Sequence, residues 1–211
     1  MYDNEKIDAI KKWLGSGSIN TFGRPFAGKD SQCHKLAGIF ECPVLGAGDI
    51  FRGENMPESV KRCMRTGELV PYEDFVNIIL PVLSQEKFDN MPLILDSIGR
   101  WHGEEGGVVS ALDRSNHELK AVIYLDISNE ESLNRRSISE KINDRNSRAD
   151  DDAKIMDTRF KEFNYKTLPV IDYYQDLGIL IKIDGKGPRD EITNNIIDSL
   201  YEHTSHVSTS Q

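Results

Sequence analysis

Cysteine and long apolar runs are scarce in this 211-residue chain, and each scarcity excludes a class of protein. The three cysteines are odd in number and form no C-x-x-C pair, so we expect neither a disulfide framework nor a zinc site. The chain starts with charged residues and contains no apolar run near membrane-spanning length. We therefore expect neither a signal peptide nor a transmembrane helix, and a reducing cytoplasm fits the free thiols.

Basic residues are also in deficit. Lys and Arg number 26 against 35 Asp and Glu, which gives a formal net charge of −9. This balance argues against a nucleic-acid or membrane-surface role, because both partners require a basic face. A phosphate ligand would have to be met by a local cluster of Arg and Lys. The length and a hydrophobic content of 38% suffice for one good core.

Residues 23–32, which read GRPFAGKDSQ, have the pattern of a phosphate-binding loop. They follow an apolar-leaning run at 18–22 and precede a helical pattern. Gly23 and Gly28 would let the backbone close around a phosphate, while Lys29 and a helix N-terminus supply positive charge. The alternative is a simple Gly-Pro turn. The position between a strand and a helix favours the phosphate loop.

Short apolar runs that end in Asp predict the sheet. They lie at 93–96, 121–126 and 179–184, and continuous hydrophobicity is typical of strands covered on both faces. The segments between them are long enough for helices, which predicts an α/β fold with three layers and a parallel sheet. Ligands of such sheets lie beyond the carboxyl ends of the strands, where the loop and Asp96 would both fall. A helix is also expected at 4–14, with Asn4 as its cap.

Further motifs follow the loop in a specific order. They are the glycine-rich turn at 46–52, GELV at 67–70, Asp96 with Arg100, RADD at 148–151, LPVIDYY at 168–174 and the Asp184-Gly185 pair. Over about residues 19–200 this ordered set resembles the adenylate kinase family. The resemblance implies an α/β three-layer P-loop fold with a parallel five-stranded sheet, a helical monophosphate-binding insert and a short lid.

The same resemblance implies a division of the chain. An N-terminal helical extension would occupy residues 1–17, and the nucleoside monophosphate kinase domain residues 18–201. Within that domain, the monophosphate-binding insert would span 49–80 and the short lid 136–147. Residues 202–211 are polar and are expected to be a disordered tail.

The implied reaction is transfer of the terminal phosphoryl group of ATP to a nucleoside monophosphate, with AMP favoured as acceptor. The resemblance assigns the catalytic groups as Lys29, Arg100, Arg148 and Arg159. Residues on the ATP side would be Gly23, Pro25, Ala27, Gly28, Lys29, Asp30, Ser31, Arg135, Gly185, Lys186 and Gly187. Residues on the monophosphate side would be Ala47, Gly48, Arg52, Glu68, Leu69, Val70, Arg100 and Glu104.

Mg²⁺ is the implied cofactor, held through water by Asp96 with Ser31 nearby. No structural metal is expected, because the lid region has no cysteines. The implied partners are ATP and the monophosphate alone, with no nucleic acid or membrane and a monomeric chain.

Five positions depart from the family pattern. Phe26 and Asp30 stand where the loop normally has Gly, and Ala47 replaces a hydroxyl residue. Ser139 stands at a lid position that is normally Arg, for which Arg145 is a candidate substitute, and Glu104 replaces the Gln that reads adenine. The alternatives left open are therefore a kinase for GMP or a pyrimidine nucleotide, another small-molecule P-loop kinase, or a nucleotide-binding regulator that has lost turnover.

Overall fold

The computed structural model describes residues 3–142 and 153–208. Five strands form one parallel sheet in the order β2-β3-β1-β4-β5, which confirms the predicted α/β class and five-stranded parallel sheet. The strands are β1 (Ser18–Gly23), β2 (Val44–Gly46), β3 (Leu93–Asp96), β4 (Leu119–Asp126) and β5 (Leu180–Asp184). The three-residue β2 was not located from the sequence, because it is too short to give a periodic pattern.

Helices connect these strands throughout the described ranges. They are α1 (Asn4–Leu14), α2 (Lys29–Phe40), α3 (Ala47–Phe51), α4 (Glu58–Thr66), α5 (Tyr72–Leu83), α6 (Glu105–Arg114), α7 (Asn129–Ile142), α8 (Ala153–Glu162), α9 (Leu168–Asp176) and α10 (Arg189–Ser208). A 3₁₀ turn covers Glu86–Phe88, and a π-helical turn covers Phe163–Thr167 between α8 and α9.

The sheet is buried on both faces, as the continuous apolar runs predict. Successive side chains of a strand point to opposite faces. In β4, Ala121 and Ile123 accordingly pack on the side of α1, α2 and α10, whereas Val122 and Tyr124 pack on the side of α5, α6 and α9. Two apolar clusters therefore enclose the sheet and give the predicted three layers.

Parallel pairing gathers the carboxyl ends of the strands at one edge. Asp96 at the end of β3 is in register with Thr21 of β1 on one side and with Gly46 of β2 on the other. The loop after β1, the glycine-rich start of α3 and the Asp96 carboxylate are thus brought together by the register alone. This edge is where a ligand of a doubly wound sheet lies.

Both ends of the chain differ in detail from the sequence-based expectation. The cap of α1 is Asp3, whose carboxylate accepts from the Glu5 amide at 3.0 Å, and not Asn4. Helix α10 continues to Ser208 and so enters the stretch that was expected to be disordered. It is supported by α1, since Lys6 pairs with Asp198 at 2.6 Å and the Trp13 ring meets His203 edge-on.

Three helices, α3, α4 and α5, fill the chain between β2 and β3, so the predicted insert at 49–80 is helical. Arg52 lies at the C-terminal cap of α3, because α3 begins directly after β2 and is only five residues long. No helix in the described ranges is long and apolar enough to cross a bilayer.

If α1 is part of the core, truncating its buried side should destabilise the whole fold. Ile10 is fully buried in the cluster formed with α2 and α10. We expect Ile10→Ala to lower the free energy of unfolding by about 2–5 kcal/mol, through lost burial and a residual cavity. Denaturant unfolding checks this. Lys12→Ala, on the exposed side of the same helix, is the control and should change stability little; equal effects of the two variants would contradict the assignment.

Candidate active site

The predicted phosphate loop lies between β1 and α2. Gly23 packs against β4 so closely that an added Cβ would lie 2.8 Å from the Leu125 carbonyl oxygen, which only glycine tolerates. Gly28 has a φ of 93°, in the left-handed region that glycine adopts at little energetic cost. Helix α2 begins at the next residue, and Lys29, Asp30 and Ser31 of its first turn line the cleft beyond the loop. The first amides of a helix have no partner within the helix. Both positions therefore disfavour a side chain, and the contact of this backbone with a phosphate stays a prediction.

Lys29 lies partly buried at the start of α2, with its Nζ 3.4 Å from the carbonyl oxygen of Arg24. The pKa of this ammonium is lowered to about 8. Burial is the main cause, the charges of Arg100 and Arg159 act in the same direction, and Asp96 opposes the shift. Burial likewise lowers the pKa of Arg100 to about 10, again with Arg159 adding to the effect. These mutual effects place four of the predicted residues in one electrostatic site.

A wide cleft opens over the loop and the start of α2. Arg135 of α7 spans it: Nε pairs with Glu131, and the two terminal nitrogens donate to the carbonyl oxygens of Ala27 at 3.3 Å and Gly185 at 2.7 Å. Predicted ATP-side residues that line this cleft are Ala27, Gly28, Lys29, Asp30, Ser31, Arg135 and Gly187. Sequence reasoning did not assign a role to Gln32, the last residue of the loop motif, and it missed Asn134 and Arg189, which fall outside any motif; all three line the cleft.

Four residues predicted on the ATP side are not among those lining the wide cleft: Gly23, Pro25, Gly185 and Lys186. Gly23 and Pro25 are buried in the loop, and Pro25 accepts a hydrogen bond from Ser132 through its carbonyl oxygen at 2.5 Å. Lys186 donates its amide to the Asp184 carboxylate at 3.0 Å. Gly185 is also buried, whereas Lys186 is exposed.

A second, narrower cleft lies between the helical insert and β3. Every residue predicted on the monophosphate side lines it: Ala47, Gly48, Arg52, Glu68, Leu69, Val70, Arg100 and Glu104. Its apolar lining comes from Phe51, Cys63, Met64 and Phe75 of the insert, which no motif singled out. The mixture of apolar wall and few polar groups is typical of a small-molecule site.

The two clefts meet at three arginines. Arg52, Arg100 and Arg159 line both of them, and Arg52 also pairs with Asp49 at 2.7 Å. Arg148, the fourth predicted catalytic residue, lies outside the described residues, as does Arg145. Guanidinium groups bind phosphate oxygens with two parallel hydrogen bonds. The junction is therefore suited to hold phosphates that approach from opposite sides.

Glu104 lies at the base of the narrow cleft and is almost completely buried. Its Oε2 accepts from the backbone amide of Trp101 at 2.9 Å. Burial raises the pKa of this carboxyl to about 7, although backbone hydrogen bonds and the Arg100 charge act in the opposite direction. The side chain is thus held by its own turn and faces the cleft, and its carboxyl group titrates near neutral pH.

Glu162, which sequence reasoning missed, joins two segments of the chain beside the narrow cleft. Its Oε2 accepts from the Leu69 amide at 2.9 Å and from Lys166 Nζ at 2.6 Å. The Lys166 ammonium in turn lies 4.0 Å from the centre of the Trp101 ring. The π-helical turn therefore connects the insert to the segment after β3, and π-turns often mark functional sites.

Asp96 and Ser31 line the wide cleft together with Lys29. The Asp96 carboxylate accepts a hydrogen bond from Ser97 Oγ at 2.9 Å. In the described ranges no three acidic, His or Cys groups gather as a complete metal site. Mg²⁺ usually binds one or two protein oxygens and completes its shell with phosphates and water. One carboxylate and one hydroxyl beside a phosphate loop fit that mode.

Asp30 was expected to place an acid beside the phosphates. It lies in the first turn of α2 and lines the wide cleft, with its carboxylate oxygen 3.5 Å from His34 Nδ1. A carboxylate is stabilised by the positive end of a helix. The helix therefore accounts for how the fold accommodates this acid.

Comparison with known proteins identifies this arrangement. The family model described as Adenylate kinase matches residues 21–179. The chain belongs to the adenylate kinase family. It is 34% identical to an adenylate kinase of Leptospira biflexa serovar Patoc, over 84% of this chain and 96% of the relative.

Two further relatives agree with this assignment. The chain is 29% identical to an adenylate kinase of Methanococcoides burtonii, over 88% of this chain and 99% of the relative. It is 27% identical to one of Staphylococcus epidermidis, over 87% and 98%. An adenylate kinase family member is a phosphotransferase that acts on nucleotides, and this membership does not favour an unrelated small-molecule kinase or a regulator without turnover.

The lowered pKa of Lys29 predicts that this adenylate kinase family member takes up a proton on Lys29 when it binds ATP. At pH 8 the free side chain is partly deprotonated, whereas a bound phosphate favours the charged form. We expect a net proton uptake at pH 8 that fades below pH 7, where Lys29 is already charged. Calorimetry of ATP binding in buffers of different ionisation enthalpy measures it. Lys29→Met should abolish the uptake; an undiminished uptake in that variant would assign the proton to another group.

Proposed function

We propose that this chain transfers the terminal phosphoryl group of ATP to AMP and so forms two molecules of ADP. The observation that carries the proposal is the set of three arginines at the junction of two clefts, with Lys29 beside them. Phosphoryl transfer needs little covalent help from a protein and depends on positioning and charge stabilisation. A cationic junction between a donor cleft and an acceptor cleft supplies both.

On the donor side, the loop amides and Lys29 would bind the triphosphate of ATP. The wide cleft also presents Arg135, and its guanidinium is already fixed by two carbonyl oxygens. A planar cation held in this way can stack on the adenine ring of the donor. Ser139 of α7, within the proposed lid, lines the same cleft, and residues 143–147 of that lid lie outside the described residues.

On the acceptor side, Arg52 and Arg100 would hold the phosphate of AMP, and Glu104 would face its base. Arg159 lies between donor and acceptor and would stabilise the charge on the transferring group. Closure of the insert and the lid would exclude water, which would otherwise accept the phosphoryl group.

Mg²⁺ is proposed as the cofactor, bound with ATP beside Asp96 and Ser31. It would neutralise charge on the phosphates and fix their geometry. Asp96 at the end of β3 would hold the ion through water, and Lys29 would balance the charge of the phosphates. We further propose a monomer in the cytoplasm, where a reducing environment keeps the three cysteines as free thiols.

An assay of ADP production tests the function directly. Purified chain, ATP and Mg²⁺ are mixed with AMP, GMP, CMP or UMP in turn, and AMP is expected to be the best acceptor. Arg52→Ala should weaken AMP binding by about tenfold or more and leave ATP binding nearly unchanged, as lost charge-assisted hydrogen bonds are worth about 1.5–3 kcal/mol. Arg114→Ala, at an exposed position of α6, is the matched control. Equal weakening of both nucleotides would remove Arg52 from the acceptor side.

The raised pKa of Glu104 predicts that the choice of acceptor base depends on pH. Below pH 7 the protonated carboxyl can donate to the ring nitrogen of adenine, whereas above pH 7 the carboxylate accepts from the two adjacent donors of guanine. We expect the AMP-to-GMP ratio of kcat/KM to fall by about tenfold from pH 6 to pH 8.5.

The control for this prediction is Glu104→Gln, whose side chain does not titrate. Its ratio should favour AMP at every pH and stay flat across the range. A pH-dependent ratio that persists in the Gln variant would show that Glu104 does not face the base.

A further inference from the structure

The phosphate loop is closed by a turn that normally requires glycine. The Ala27 amide donates to the Arg24 carbonyl oxygen at 3.1 Å, so Pro25 and Phe26 are the central residues of the turn. Phe26 has a φ of 60°. Proline followed by a residue with positive φ is the signature of a type II turn, in which the second position is usually Gly. A bulky side chain is strained there.

The side chain of Arg24 is bound on every nitrogen, and its contacts lie outside the loop. Nε donates to Asn129 Oδ1 at 2.8 Å, Nη1 to Tyr124 Oη at 3.0 Å and to the Ile127 carbonyl at 3.3 Å, and Nη2 to Asn164 Oδ1 at 3.2 Å. The guanidinium also lies 4.9 Å from the centre of the Phe163 ring and 3.6 Å from Asp126. These partners belong to the end of β4, the start of α7 and the π-helical turn.

Arg24 is not one of the described residues that line either cleft, so its side chain does not act on the nucleotide directly. The backbone of Arg24, in contrast, contacts a predicted catalytic residue. The carbonyl oxygen that closes the turn also accepts from Lys29 Nζ at 3.4 Å. Any displacement of Arg24 therefore moves both the turn and the ammonium at the start of α2.

Two more side chains hold the same stretch from outside. Ser132 Oγ donates to the Pro25 carbonyl, and Arg135 donates to the Ala27 carbonyl. The residues on both sides of Phe26 are thus fixed by α7, and Arg24 fixes the start of the turn. A strained backbone angle persists only where its surroundings determine it.

We propose that Arg24 is a positioning residue for the donor: it anchors the phosphate loop to β4 and the π-helical turn, and so keeps the loop in its binding shape despite the positive φ of Phe26. The inference rests on the proposed function, because it assigns ATP to this loop. Arg24 acts through the position of the loop amides and Lys29.

A double-mutant cycle between Arg24 and Phe26 tests the proposal. Arg24→Met keeps the length of the side chain and removes its hydrogen bonds, and Phe26→Gly removes the strain of the turn. We expect Arg24→Met to lower kcat/KM for ATP by about tenfold with the KM for AMP unchanged. In the Phe26→Gly background the same substitution should lower it only about twofold to threefold. Arg114→Met, at an exposed position, is the control.

The outcome decides between a loop-specific role and a general one. Equal losses in both backgrounds, or equal changes in the KM values of ATP and AMP, would overturn the proposal. If Arg24→Met does not fold in thermal unfolding, Arg24→Lys replaces it in the cycle and should give a smaller loss with the same dependence on Phe26.

Calorimetric titration with Mg²⁺ and ATP reports on the loop without any acceptor. An affinity for ATP that falls in Arg24→Met and recovers in the double variant supports the inference even if the wild-type chain does not phosphorylate AMP. An affinity that does not change in any variant overturns it, while turnover of AMP by the wild type would still support the proposed function.

Discussion

Repulsion between like charges is the constraint on which this structure depends. An acidic chain has to bring two anionic nucleotides together, and it does so by holding Lys29, Arg52, Arg100 and Arg159 around one junction. Burial is the main cause of the lowered pKa values of Lys29 and Arg100, and repulsion from neighbouring cations, Arg159 among them, adds to it. The sheet register and the insert hold them there in spite of that repulsion. In the proposed function the phosphates would supply the missing negative charge and so relieve this repulsion.

The cost of holding these cations in the site also lowers the free energy of unfolding. A shift of the Lys29 pKa from 10.5 to about 8 corresponds to a few kcal/mol at most, since one pKa unit is about 1.4 kcal/mol. For a base whose pKa is lowered in the folded state, this penalty is fully present below pH 8. It is relieved as the pH rises from 8 through 10.5, where the unfolded chain still binds the proton. The free site therefore carries its full penalty at neutral pH, where a bound phosphate would offset it.

The sequence predicted the parts of the fold and site that depend on local patterns. Apolar runs ending in Asp located β3, β4 and β5, and the loop pattern located Lys29 at the start of α2. Motif order placed all eight acceptor-side residues around one cleft. Contacts between distant segments were not predictable, because Glu162 meets Leu69 and Arg24 meets Asn164 only after the sheet has brought α8 and the π-helical turn beside the site. The end of α10 was also missed, because its polar last turns are stabilised by packing on α1.

The helical insert leaves the sheet at Gly46 and returns to it at Leu93, and β2 and β3 are direct neighbours. The chain between them therefore starts and ends at neighbouring strands, and it crosses no other strand. Six of the eight acceptor-side residues lie in this single stretch, whereas the donor loop and Arg135 belong to the part of the chain that forms the rest of the sheet. Most of the proposed acceptor side is thus separable along the chain from the proposed donor loop, with Arg100 and Glu104 as the exceptions. Variation confined to this segment would reshape the wall of the acceptor cleft without altering the loop proposed to hold ATP, whereas a change at Glu104 would come from outside it.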